Sequence, residues 1–244
     1  MKKESLNKIW IVTFYSIAMG FLEAAVVIYL RKLFYQNGFD FPLKGFIEPS
    51  ILIVEWVREF VTIIMLVTIG LLAGKKFYEK FAYFIYAFAI WDIFYYVFLK
   101  LYLGWPSSLK TWDLLFLIPW PWIGPVLAPL LCAVLMIITA FMIINFEDKR
   151  IKIRLNAREL VLIIIGVIFI LFTWLYDYGA LIFNNGFAKV FFTLATNAKF
   201  TEIVSSYVPN YFNWPLFLLG LFTSTLGVLL FYMRIKNIKS HPRS

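Results

Sequence analysis

The stretch that decides the fold is EWVREFVTIIMLVTIGLLAG, residues 55–74. Two glutamates and an arginine stand near its start, and the apolar run that follows carries no charge. A membrane-spanning helix needs about 20 mostly apolar residues, a length that residues 50–74 reach. Ionisable groups inside such a segment are costly unless they are paired or hydrated. The stretch therefore predicts a transmembrane helix that contains a polar site.

The composition predicts an integral membrane protein. The 244 residues are 62% hydrophobic, 20% aromatic and only 15% charged, which leaves too little polar surface for a soluble domain of this size. Further apolar segments have a similar length, so we predict an all-α integral membrane protein, a bundle of six transmembrane helices in a single domain, 1–244. The predicted helices are 9–30, 50–74, 79–102, 122–146, 159–177 and 213–234.

The distribution of basic residues predicts the orientation of the chain. The net charge is +9, and 15 of the lysines and arginines lie in segments 1–8, 75–80, 149–158 and 234–244. Seven lie in the alternate segments 31–44, 100–110 and 189–199. Because cytoplasmic loops are enriched in Lys and Arg, we predict a multi-pass protein of the cell membrane with both termini cytoplasmic. Membrane lipids are the predicted partners of the basic tail, and we predict no nucleic-acid binding.

The residue types present in the chain limit the cofactors and reactions that it could support. The chain has one cysteine, Cys132, and one histidine, His241, which lies close to the C-terminal end. An internal disulfide is therefore excluded, and we expect no haem, no iron–sulfur cluster and no histidine-bound zinc. Any reaction must depend on carboxylates, arginine, tyrosine or hydroxyl groups. A divalent cation, Mg²⁺ or Mn²⁺, is the cofactor that carboxylate oxygens suit.

Three predicted helices carry ionisable residues at one depth. Residues three or four apart share a helix face, which places Glu55, Arg58 and Glu59 on one stripe. At about 1.5 Å per residue, Glu23 on the first helix and Asp92 on the third also fall in the outer half of the membrane. Four carboxylates against one arginine leave negative charge that a dry site cannot hold. We therefore predict Glu23, Glu55, Glu59 and Asp92 as catalytic residues, and Glu55, Glu59 and Asp92 as metal ligands.

Neighbouring residues are the candidate substrate contacts. Arg58 suits a phosphate or carboxylate head group. Segment 104–129 holds five prolines and four tryptophans, so we expect a re-entrant or interfacial segment over the site, between helices 3 and 4. Segment 178–212 has the composition of an interfacial amphipathic helix. The predicted substrate-binding residues are Arg58, Tyr95, Tyr96, Lys100, Trp105 and Asp113.

Three functions fit this pattern. The first is a membrane-embedded enzyme acting on a lipid or lipid-linked substrate, as a metal-assisted hydrolase or transferase. The second is a cation- or proton-coupled carrier, because buried acidic residues mark ion paths; the lack of a repeat relating 1–110 to 120–234 disfavours it. The third is a non-catalytic subunit of a membrane complex; a second copy of the chain, in a homo-oligomer, or a membrane-complex subunit is the candidate protein partner. The charged residues of such a subunit would form only an ion-pair network that fixes helix packing.

Overall fold

The computed structural model describes residues 1–35, 39–42, 49–151, 153–189, 194 and 197–240, and the described chain is mostly helical. His241 and parts of segment 178–212 lie outside these residues. The elements in chain order are α1 (Lys3–Phe34), α2 (Pro49–Ala73), α3 (Phe77–Leu103), β1 (Trp112–Phe116), β2 (Trp122–Pro125), α4 (Leu127–Asp148), α5 (Ala157–Asn184), α6 (Ala198–Ser206) and α7 (Trp214–Ser240).

The long helices confirm a multi-pass membrane architecture. Within the described ranges, α1, α3, α4, α5 and α7 are long and apolar enough to cross a membrane. The remaining predicted span, 50–74, corresponds to α2, a helix of 25 residues that is not among these five. Length and composition thus support five spans, and the case for a sixth depends on the sequence pattern.

The ends of the helices differ from the predicted ones because apolar runs do not mark where a helix is capped. α1 begins at Lys3, six residues before the predicted start. α5 begins after Asn156, whose side chain accepts a hydrogen bond from the Glu159 backbone N–H at 2.8 Å. Glu159 in turn accepts from the Asn156 N–H at 3.0 Å, which completes a capping box. This reciprocal cap fixes the start of α5 at a polar turn.

The segment between α3 and α4 forms a short β-hairpin within a fold that is otherwise helical, as the predicted all-α membrane class implies. β1 and β2 pair antiparallel, with Asp113 opposite Gly124 and Leu114 opposite Ile123. The prolines of this segment prevent a continuous helix, and its backbone groups need partners when they are buried. Pairing two short strands supplies those partners. The predicted fourth helix, 122–146, therefore begins only at Leu127, because Trp122–Pro125 belongs to β2.

The helices form two groups. α3 packs against α1, α2 and α4, and α5 packs along α7. The α5–α7 pair is close because glycines face each other there. A side chain at Gly220 would place its Cβ 2.7 Å from the carbonyl oxygen of Gly166, so neither position accepts a larger residue without separating the helices. Contacts of α4 with α7 and of β2 with α5 connect the two groups.

One end of the bundle collects basic residues in ion pairs, and we call it the basic end. Lys75 lies 2.9 Å from Glu4, and Lys76 lies 2.7 Å from Glu147. Arg234 donates to Glu159 at 2.7 Å, which links α7 to the start of α5. The N-termini of α1, α3 and α5 therefore share this end with the C-termini of α2, α4 and α7. The hairpin lies toward the opposite end.

The predicted amphipathic segment contains the short helix α6. Phe200 and Val204 are the buried residues of this helix and pack with Tyr178 and Ile182 of α5. After α6, the Tyr207 hydroxyl donates a hydrogen bond to Asp177 at 2.5 Å. Burial raises the pKa of the Tyr207 hydroxyl, so this group stays a donor. α6 is therefore fixed against α5 on the hairpin side of the molecule.

Candidate functional site

The ionisable residues predicted on three helices line one cavity of about 70 Å³, which we call the charged cavity. It lies between α1, α2 and α3 on the hairpin side of the bundle. Its charged residues are Glu23, Arg31, Glu55, Arg58, Glu59 and Asp92. Tyr95, Tyr96 and Trp91 of α3 also contribute to its wall, as does Leu117 of the hairpin. The predicted convergence of helices 1, 2 and 3 is thus present in the structure.

Arg58 is held by two of the carboxylates. Its Nε and Nη2 donate to Glu55 Oε2 at 3.0 and 2.7 Å, one helical turn away. Its Nη1 donates to Glu23 on α1. Thr62 Oγ1 lies 3.3 Å from the second oxygen of Glu23. Arg58 therefore ties α1 to α2, and three of its donor groups are already engaged.

Glu59 connects α2 to the hairpin. Its Oε2 accepts a hydrogen bond from the Leu117 backbone N–H at 2.8 Å, just after the end of β1. A buried backbone N–H with no partner is costly, and the carboxylate satisfies this one. Glu59 therefore positions the hairpin beside the charged cavity, which is a structural task in addition to any chemical one.

Arg31 and Asp113 form a second, deeply buried ion pair. Arg31 Nη2 donates to Asp113 Oδ1 at 2.9 Å, and the Tyr96 hydroxyl donates to Asp113 Oδ2 at 3.1 Å. The residues are 6% and 0% exposed. Burial raises the pKa of the Asp113 carboxyl to about 6, and the Arg31 guanidinium opposes the rise.

Two aromatic rings hold the Arg31 guanidinium in place. Its central carbon lies 4.1 Å from the centroid of the Phe39 ring and 3.7 Å from that of Trp105. Cations are attracted to aromatic faces, and a planar guanidinium stacks on them well. Trp105, a predicted substrate contact, thus touches Arg31 in this structure.

Among the cavity carboxylates, Asp92 has no hydrogen-bond or ion-pair partner in the described structure. It lines the charged cavity, yet it makes no hydrogen bond or ion pair with any of the residues that the structure describes. Groups of three or more carboxylate, Cys or His side chains placed to hold a metal do not occur in the described part of the chain. The prediction that Glu55, Glu59 and Asp92 bind a divalent cation therefore stays a prediction.

Lys100 lies apart from the charged cavity. Its ammonium donates to the backbone oxygens of Gly104 and Pro106 at 3.0 and 2.8 Å, which stabilises the C-terminal end of α3. It follows Asp92 by eight residues on the same helix, but at the end of α3 the free carbonyl groups are closer partners. Its predicted contact with a substrate finds no support in this geometry.

A second, larger space shares wall residues with the charged cavity. It has a volume of about 640 Å³ and lies between the two helix groups, and we call it the apolar groove. Its wall is almost entirely hydrophobic and includes Phe81, Phe88, Cys132, Thr139, Val167 and Val228. It runs from Tyr78 near the basic end to Trp122 of the hairpin. Trp91 and Asp92 belong to the walls of both spaces.

The role of Arg31 and the apolar groove were not predicted from the sequence. Arg31 follows Glu23 by eight residues, a spacing that keeps two residues near one helix face. However, Arg31 stands beside Lys32 at the end of an apolar run, where basic residues commonly flank a membrane helix. Its partner Asp113 is 82 residues away in the sequence. The groove depends on how the two helix groups pack, which a single sequence does not display.

Comparison with known proteins finds no match: no family model fits the sequence, and no curated protein or solved structure is significantly similar to the chain.

Proposed function

We propose that this protein is a membrane-embedded enzyme that acts on a lipid or lipid-linked substrate. In this proposal α2 is a sixth span, both termini are cytoplasmic and the charged cavity lies in the outer half of the cell membrane. The clustering of basic segments at one end of the bundle supports the orientation, because such residues favour the cytoplasmic side. The apolar run that follows Glu59 supports the span of α2.

One observation carries the proposal: Asp92 lines both the charged cavity and the apolar groove. A lipid has a polar head and a long apolar chain, so it needs two such spaces side by side. From Phe77 to Asp92, α3 rises about 22 Å, which gives the groove room for a long hydrocarbon chain. A substrate whose chain occupies the groove brings the first bonds of its head group to Asp92.

Asp92 is the proposed general acid and base. It accepts the proton of an attacking hydroxyl, which belongs to water in a hydrolase or to a second substrate in a transferase. The attacking oxygen bonds to the phosphorus or acyl carbon of the substrate, the bond from that atom to the leaving oxygen breaks, and Asp92 returns the proton to the leaving oxygen. Glu23, Glu55 and Arg58 hold each other and position α1 and α2 around the head group. Mg²⁺ or Mn²⁺ is the alternative occupant: a cation held by Glu59 and Asp92 would activate the attacking hydroxyl in place of proton transfer by Asp92.

The packing toward the basic end favours an enzyme over a carrier. Val12 of α1, Leu66 of α2 and Tyr83 of α3 are buried in one apolar cluster between the charged cavity and that end. Charged solutes cross such a cluster at high cost. The charged cavity instead shares the wall at Trp91 and Asp92 with the apolar groove. A substrate therefore enters from the lipid phase in this proposal, and it need not cross to the other face.

A lipid-turnover assay tests the proposal. The purified protein is incubated in nanodiscs that contain a lipid extract from its host membrane, and mass spectrometry follows every lipid species over time. We expect one species to be converted, and Asp92→Asn to slow the conversion by about 10²–10⁴-fold, the usual size of general acid–base catalysis. Glu202→Gln, on the exposed side of α6, is the matched control and keeps the wild-type rate. No conversion by the wild type, or an unchanged rate in Asp92→Asn, contradicts the proposal.

A further inference from the structure

We infer that the charged cavity recognises a zwitterionic lipid head group, with a phosphate at Arg31 and a primary ammonium at Asp92. The inference rests on the proposed function and names the class of substrate. It moves recognition of the anionic part from Arg58, the residue that the sequence favours, to Arg31.

Two buried donors at the cavity lack acceptors. Arg31 Nη1 and Trp91 Nε1 have no hydrogen-bond partner in the described structure. Both residues line the charged cavity, and they are 6% and 7% exposed. Leaving a buried donor unsatisfied is costly, so such groups indicate a missing partner. A ligand with oxygen acceptors, such as a phosphate, supplies it.

Arg31 is better prepared than Arg58 to bind an anion. The Phe39 and Trp105 rings, which are perpendicular to each other, both contact its guanidinium, and Nη2 is engaged with Asp113. The remaining edge is therefore held in a fixed direction, which reduces the entropy lost on binding. Arg58, by contrast, already donates three hydrogen bonds to Glu55 and Glu23.

Asp92 needs a hydrogen-bond donor as its partner, whereas Arg31 needs an acceptor. Its carboxylate has no donor in the described structure, and the residues in and around the cavity include five carboxyls but two arginines. A purely anionic head group would add to this negative excess. A primary ammonium brings three N–H donors and a positive charge. The aromatic side chains of Trp91 and Tyr95, in the same wall, also favour a cation.

A zwitterion satisfies both sets of groups at once. A cation alone leaves the donors of Arg31 and Trp91 without acceptors, and an anion alone leaves Asp92 without a donor. Because a water molecule needs roughly 10–15 Å³ of such space, the cavity of about 70 Å³ has room for about five water-sized groups. In this inference the polar atoms of a short head group occupy the cavity, and the rest of the lipid, with its chains, extends into the apolar groove.

Lipid binding measured with matched head groups tests the inference. Native mass spectrometry of the detergent-solubilised protein gives dissociation constants for dioleoyl phosphatidylethanolamine, phosphatidylglycerol and phosphatidylcholine. The three lipids share their chains and phosphate, and only the first has a primary ammonium. We expect the wild type to bind phosphatidylethanolamine about tenfold more tightly than the other two, as hydrogen bonds to a charged group imply.

Variants of the protein test the ammonium contact and the phosphate contact separately. Asp92→Asn is expected to abolish the preference for phosphatidylethanolamine while it still binds phosphatidylglycerol. Arg31→Gln is expected to weaken binding of all three lipids equally, because all carry the phosphate. If Arg31→Gln does not fold, Trp91→Phe keeps the ring, removes only the Nε1–H donor and is expected to act in the same direction.

A groove variant distinguishes failure of the inference from failure of the proposed function. Cys132→Phe fills the apolar groove and is expected to weaken binding of all three lipids, whereas Val134→Phe, on the exposed side of the same helix, leaves binding unchanged. If Cys132→Phe weakens binding but the wild type shows no preference among the head groups, the inference is overturned while the proposed function stands. An unchanged preference in Asp92→Asn also overturns it. Unchanged binding in Cys132→Phe overturns the proposed function as well.

Discussion

Arg31 on α1 donates a hydrogen bond to Asp113 on β1 at 2.9 Å, across 82 residues of sequence. The pair joins the end of the first helix to the hairpin, and aromatic rings enclose its cationic member. The hairpin is thus fixed by charge, in addition to its own strand pairing. The stability of the hairpin and the geometry of the charged cavity are therefore coupled.

The buried pair predicts a large effect on stability. Removing one partner leaves an uncompensated buried charge, so Asp113→Asn is expected to cost about 3–5 kcal/mol of unfolding free energy. The double variant Arg31→Met/Asp113→Leu is expected to cost less, because it leaves no orphaned charge. Unfolding in detergent micelles measures both changes.

The exposed pair at the basic end provides the control for this measurement. Lys75 and Glu4 lie 2.9 Å apart on the surface, where solvent screens them. Glu4→Gln is therefore expected to leave the unfolding midpoint unchanged. Wild-type stability in Asp113→Asn would show that the buried pair does not hold the hairpin.

The orientation of the chain is tested by cysteine accessibility in intact cells. In a Cys132→Ala background, Lys110→Cys places a thiol in the loop after α3, and Lys75→Cys places one at the basic end. An impermeant maleimide is expected to label position 110 but not position 75, because basic loops stay on the cytoplasmic side. The reverse pattern would place the charged cavity in the inner half of the membrane.

The role of divalent cations is tested by thermal unfolding with Mg²⁺ or Mn²⁺. If Glu59 and Asp92 hold a cation, it stabilises the folded protein by mass action, by about 2.7 kcal/mol at one hundred times its dissociation constant. We expect Glu59→Gln and Asp92→Asn to lose that stabilisation and Glu202→Gln to keep it. Equal responses of all the variants would remove the cation from the proposed mechanism.

The sequence predicted the helices of the first half and the meeting of their charges because both follow from local rules. The spacing of Glu55, Arg58 and Glu59 defines a helix face, and the rise per residue gives the depth of Glu23 and Asp92. These five residues line one cavity in the structure. Helical periodicity was sufficient to predict which residues meet, because each of these helices has one polar stripe on an otherwise apolar surface.

The hairpin and the Arg31 pair could not be predicted in the same way. The prolines of segment 104–129 exclude a long helix, but they do not specify which extended residues pair. The partner of Arg31 is set by the position of β1, and the partners of Lys100 by the free carbonyl groups at the end of α3. Such contacts depend on tertiary structure, which one sequence does not reveal.

A cryo-electron microscopy structure in nanodiscs that contain phosphatidylethanolamine would show whether a lipid's head group and chain meet at Asp92. We predict density for a head group between Arg31 and Asp92, continuous with a hydrocarbon chain along the apolar groove past Cys132. A charged cavity that holds only water, with the α5–α7 pair closed against α3 and α4 so that no groove remains, would contradict it.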